Sequence, residues 1–159
     1  MTAVDLDLTF VYPWLKFAHI LLAIVAVGFN FSYAILIRRA SREPQHMGHV
    51  LRSVKLLDDR FATPAYVLLP VPGLAMVFIG GWDIADLWIL ASLLLYGVLV
   101  VIGLFMYSPA LRGQIAALDA SGPDSVEFRS LTTRGNAVGG VIALIVVVII
   151  GLMVLKPTL

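Results

Sequence analysis

The sequence predicts an all-α fold: a four-helix transmembrane bundle with both termini extracytoplasmic and interfacial helices in the cytoplasmic loops. Three observations predict it. First, 60% of the 159 residues are hydrophobic and 13% charged, with a mean hydropathy of +0.98, whereas an average soluble domain is about 25% charged. Second, four apolar runs, at about residues 14–37, 61–80, 87–108 and 136–155, approach the roughly 20 residues an α-helix needs to cross a hydrocarbon core. Lys16, at the outer end of the first run, is the sole Asp, Glu, Lys or Arg in any of them. Third, nine of the eleven basic residues fall in the connections after the first and third runs, and such asymmetry places those connections in the cytoplasm. A backbone in hydrocarbon must satisfy its own amides and carbonyls. The alternating pattern of barrel strands is absent, so helices are the solution.

The first run is too long for a signal-peptide core and is preceded by Asp5 and Asp7 instead of a basic region, so it reads as a retained span. The connection after it carries Arg38, Arg39, Arg42, Arg52, Lys55 and Arg60. Pro44 suits a first helical turn there, and Val50, Leu51, Val54, Leu57 and Phe61 recur on one face, which predicts an interfacial helix leading into span two. Span two contains Pro64, Pro70 and Pro72, each without an amide hydrogen, followed by Gly73. A kinked helix is expected, with its released carbonyls turned to neighbouring helices and not to lipid.

The outer connection, Gly81 to Asp86, is tight and predicts that spans two and three are antiparallel neighbours. After span three, Ser121-Gly122-Pro123-Asp124 marks the turn of a helical hairpin that carries Arg112, Arg129 and Arg134. In span four Asn136, Gly140, Ala143, Val147 and Gly151 form a small-residue stripe. Such stripes let helix backbones approach closely, inside a bundle or between copies. Trp14, Trp82 and Trp88 map to the outer boundary, where indoles sit well. These elements use nearly the whole length, which leaves one integral membrane domain, 1–159.

Several functions are excluded or unsupported. A net charge of +1, with no zinc-finger spacing and no phosphate-binding glycine loop, gives no reason to expect nucleic acid as a partner. With no cysteine there are no disulfides, thiolate metal sites or iron–sulfur clusters. Neither a Ser-His-acid set nor a carboxylate pair within a span is visible, so an enzymatic role is not expected.

Polar residues inside the spans carry what chemical signal there is. Lys16, His19, Ala23, Ala26, Asn30 and Tyr33 share an arc of about 100° on span one at 3.6 residues per turn. His19 and Asn30 are costly in hydrocarbon without partners, so this arc should face the bundle. Lys16 can snorkel to the interface or join a site. Counted inward from the outer boundary, His19, Met76, Ser92 and Met153 fall in one layer about 5 to 8 Å deep, one from each span. An imidazole with the Met76 and Met153 thioethers is a soft set suited to Cu(I), and imidazole is also the usual ligand of haem iron. Met76 and Met153 would otherwise be packing filler, and His19 a hydrogen-bonded core residue. His46 and His49, at i and i+3 with Glu43 nearby, make a weaker pair of the kind usual in a solvated loop.

The opening Trp14-Leu15-Lys16-Phe17-Ala18-His19-Ile20-Leu21 resembles the Lys-x-x-His start of a family of bacterial predicted integral membrane proteins catalogued as a domain of unknown function. The resemblance continues at Pro72-Gly73, at Trp88, at Ser108-Pro109 with Arg112, and at Met153-Val154-Leu155-Lys156-Pro157, and so covers nearly the whole chain. More distantly, the opening is similar to copper-resistance CopD proteins and HemJ-type protoporphyrinogen oxidases, which implies copper or haem with His19 as the ligand. The oxidases also carry a lysine in a later span, and span three here has none, so their activity is not carried over. Two readings follow for a multi-pass protein of the bacterial inner membrane, surrounded by lipid and assembled as a homo-oligomer or within a larger complex. One is a copper- or haem-binding bundle that uses His19 with Lys16 and Asn30, or with Met76 and Met153. The other is a non-catalytic accessory subunit.

Overall fold

A computed structural model describes residues 8–157. Asp5 and Asp7, which the charge argument sets on the outer side, lie outside the described residues. Among those residues every regular element is helical, without strands. After a short 3-10 turn come α1 (Tyr12–Ala40), α2 (Met47–Leu57), α3 (Thr63–Leu68), α4 (Pro70–Ile79), α5 (Leu87–Ile102), α6 (Ser108–Ser121) and α7 (Val126–Leu155). α2, α3 and α4 follow one another as one helical run from Pro44 to Ile79, and α5 and α6 as another from Leu87 to Ser121. With α1 and α7 these make four helices long and apolar enough to cross a membrane. Only 11 to 22% of their most apolar windows is buried within the protein. The remaining apolar surface, including Phe17, Ile24, Phe78, Phe105 and Leu144, is far larger than water tolerates and is the surface lipid covers.

Each joint has a local cause. Asp58–Ala62 and Gly103–Tyr107 are wide π-helical turns, and each is followed one residue later by a proline, Pro64 and Pro109. A proline ring clashes with the carbonyl four residues back and offers it no hydrogen, so widening the preceding turn by one residue relieves both problems. The α3–α4 break at Leu69 directly precedes Pro70. Gly122 ends α6 with φ +78, and the Ser125 hydroxyl accepts the Phe128 amide at 3.2 Å to start α7.

The predicted helix after span one forms as α2. Its apolar side, Met47, Leu51 and Val54, is buried against α1 and α6 in a cluster with Tyr33, Leu111 and Phe128. The arginine-rich end is therefore a packed helical extension of the bundle. Arg52 reaches Asp119 at 2.6 Å across α2 and α6, but both side chains are more than half exposed, so the pair contributes little. Within the bundle α7 packs on α5 and α6, and α1 on α3 and α4. α4 and α5, joined by the tight outer turn, meet through Val77, Trp88 and Ile89 while their backbones stay apart. This separation leaves room in the middle.

One sequence-level expectation is revised. The small-residue stripe of span four does not form the close intramolecular seam: α7 buries Gly135, Val138, Ile142 and Val146 instead, and an added Cβ on Gly140 or Gly151 would meet nothing within 4 Å. The helix has turned its medium-sized apolar residues to its neighbours because they fill the distance to α5, where glycines would leave a void.

Candidate functional site

Between the four long helices, at the tryptophan-bearing end, lies a cavity of about 390 Å³, within the size range of small-molecule sites. His19, Met76, Ser92 and Met153 all line it, one from each long helix, and Lys16 and Lys156 stand at its tryptophan end. Asn30 is not among them. Its amide donates to the Ala26 carbonyl at 2.8 Å and the Tyr66 hydroxyl at 3.0 Å, and it lines a separate cavity toward the arginine-rich end. Asn30 is 11 residues beyond His19, about 16 Å along the helix, so one arc of α1 serves two cavities.

His19 is held by two features of the proline-broken span. Its Nδ1 lies 3.0 Å from the Leu69 carbonyl, at the α3–α4 break. A carbonyl oxygen only accepts, so Nδ1 carries the proton and, in the neutral ring, Nε2 is left with a free lone pair. Among the described residues Nε2 has no hydrogen-bond partner. The ring rests on Gly73, where a Cβ would sit 2.9 Å from Cε1 and 3.1 Å from Nδ1. Glycine here is a condition for the imidazole's position.

The prolines also explain a tyrosine that sequence reasoning passed over. Pro70 has no amide hydrogen for the Tyr66 carbonyl four residues back, and the Tyr96 hydroxyl on α5 donates to that carbonyl. The released carbonyl thus turns into the bundle, as expected for span two. The usable signal was the i−4 position of each proline. Tyr96→Phe is expected to cost about 1–3 kcal/mol, because it leaves that carbonyl unsatisfied away from water. Unfolding of the detergent-solubilised variant against the wild type measures this loss, and an unchanged midpoint would refute the bond's role.

The mouth is built from Lys156, Trp82 and Trp88. The Lys156 Nζ stands 4.2 Å from the Trp82 ring centre and 4.9 Å from that of Trp88, and the two indoles meet edge to face at 5.4 Å. Lys156 ends α7 in a left-handed conformation, φ 45, which swings its side chain over the rings. Trp88 is buried, so this indole is a packing element, while Trp14 is exposed at the same end. Deeper in, Ser92 is 2% exposed and its hydroxyl has no hydrogen-bond partner. A buried hydroxyl in that state favours a ligand or water in the cavity.

The remaining candidates do not converge. His46 and His49 are exposed, His46 is 3.9 Å from Glu43, and among the described residues no cluster of three His, Cys, Asp or Glu side chains could hold a metal ion. Any metal in the tryptophan-end cavity would rest on one imidazole and thioethers. Among the described residues no carboxylate lines that cavity, and its walls are mostly apolar and aromatic. It suits an apolar body with an anionic edge near the two lysines.

No curated protein and no solved structure matches this chain, so the similarity to CopD and HemJ-type proteins rests on the Lys-x-x-His opening. Four membrane-competent helices, the Lys16–His19 pair on the lining of one cavity, and Pro72-Gly73 beneath the imidazole bring together the motifs quoted above. Over residues 13–157 the chain matches the family described as Predicted integral membrane protein (DUF2269), and it belongs to that family.

Proposed function

We propose that this protein is a multi-pass protein of the bacterial plasma membrane that binds haem in its tryptophan-end cavity through Nε2 of His19. The carrying observation is the His19 ring, oriented by the Leu69 carbonyl and seated on Gly73, with its free nitrogen unpaired beside a cavity of about 390 Å³. Orientation of a ligating imidazole by a backbone carbonyl is the usual second contact of such ligands. The apolar walls suit a macrocycle, and Lys16 and Lys156 suit its carboxylates. When bound, haem would supply a redox-active iron, and the protein's own residues would orient it and exclude water from all but its edge.

Cu(I) is the second reading, supported by the two thioethers of Met76 and Met153 on the same walls. The lysines favour haem, because two ammonium groups at the mouth repel a bare cation. The protein purified in mild detergent should show a Soret band and about one iron per chain. Copper without a Soret band would replace the first reading by the second. No metal, no Soret band and no change in melting on adding haemin or Cu(I) would remove both, leaving the accessory-subunit role, for which co-purifying membrane proteins are the test. The nine basic residues at the opposite end support an outward-facing cavity. A carboxyl-terminal alkaline phosphatase fusion should accordingly be active outside the cytoplasm, and an inactive one would reverse the orientation.

A further inference from the structure

The second cavity, about 530 Å³ between α1, α6 and α7, is larger than the histidine cavity and plays no part in the proposal above. Along α1 and the Ser41 that follows it, the cavity extends from Val27 to Ser41, 14 residues or about 21 Å. That is close to one leaflet, half of a bilayer of about 40–45 Å with its headgroups. Its polarity is graded along this length. Arg38, Ser41, Gln114 and Thr132 line the arginine-rich end, and Val27, Phe31 and Val146 the deep end. The deep polar groups Asn30 and Tyr66 are bonded to each other. Of the shallow ones, Ser41 donates to the Arg38 carbonyl at 2.7 Å and Gln114 to the Leu131 carbonyl at 3.3 Å, while two lack a partner. Thr132 Oγ1 is buried with no hydrogen-bond partner, and Arg38, the arginine on the cavity lining, pairs with no carboxylate among the described residues. No Asp or Glu lines the cavity among those residues. The small stripe of span four forms one wall, and at Gly140 that wall is open.

We propose that this cavity binds one anionic phospholipid of the arginine-side leaflet, with its phosphate on Arg38 and one acyl chain running between α1 and α7 to Val27 and Val146. A cation unpaired at the shallow end of an apolar slot one leaflet deep complements that amphiphile. A second copy of α7 would fit the small residues but would not fill the slot down to Val27 and Val146 with an apolar chain headed by a phosphate.

The full chain is reconstituted in bilayers of phosphatidylcholine and phosphatidylglycerol at 3:1 and released into native mass spectrometry. The wild type should retain one phosphatidylglycerol in preference to phosphatidylcholine. Arg38→Gln should lower that retention about tenfold, the loss of one charge-assisted contact. Gly140→Leu, which fills the slot, should abolish it, while Gly28→Leu, at an open position outside both cavities, should leave it intact. His19→Ala should also leave it intact, so failure of the haem reading is distinguishable from failure here. Equal retention of the two lipids, full retention by Arg38→Gln or Gly140→Leu, or a dimer that Gly140→Leu separates would overturn the proposal.

Discussion

His19→Ala is expected to strip the bound group from the protein while leaving the bundle folded. Removing an outer-shell partner of a ligating histidine costs about 10–100-fold in affinity, so loss of the ligand atom itself should exceed about a hundredfold. Among the described residues the lining offers no other imidazole, thiolate or carboxylate to replace it. The structural cost is small by comparison. The half-buried ring is exchanged for a methyl group, and the Leu69 carbonyl loses one hydrogen bond worth about 1 kcal/mol. The Soret band and iron content of the purified variant should therefore fall to background with unchanged helical circular dichroism. His49→Ala, at an exposed position far from the cavity, serves as the control and should retain both. Equal haem content in His19→Ala and the wild type would eliminate the assignment.

Gly73→Ala tests the same site from beneath, and the sign of its effect separates two pictures of α4. In an exposed helix this change stabilises by about 1 kcal/mol, because alanine loses less backbone entropy than glycine. Here the new Cβ would stand 2.9 Å from His19 Cε1, closer than carbon atoms pack. The ring must swing away, and the swing breaks its bond to the Leu69 carbonyl. Overpacking of this kind costs about 1–3 kcal/mol, which outweighs the propensity gain. We expect net destabilisation and a 10–100-fold loss of haem affinity, since the imidazole is no longer oriented. A variant more stable than the wild type with full haem affinity would show that the ring does not lie on Gly73. Haemin titration and unfolding of the same preparation give both readouts.

Much of this protein is legible residue by residue. The four apolar runs, the wide or broken turns beside Pro64, Pro70 and Pro109, the Gly122 stop and the Ser125 cap follow from hydropathy, missing amide hydrogens and local backbone preference. The polar arc of α1 was legible as well, because helical periodicity alone places Lys16, His19, Ala23 and Ala26 on one face.

What periodicity cannot supply is the neighbour opposite each face. Asn30 and Tyr33 share the arc with His19, yet Asn30 bonds Tyr66 in the other cavity and Tyr33 is buried in the cluster around Leu51. The stripe of span four was readable as a stripe, but its use as an open wall depended on how far α7 rotated to bury Val138, Ile142 and Val146. The sequence by itself determined that the chain forms four lipid-facing helices, and that span two bends at its prolines, because solvation and hydrogen bonding act on each residue locally. Only the tertiary structure decided that two cavities exist and which side chains share them, because spacing and rotation between helices are set by the joint packing of residues distant in the chain.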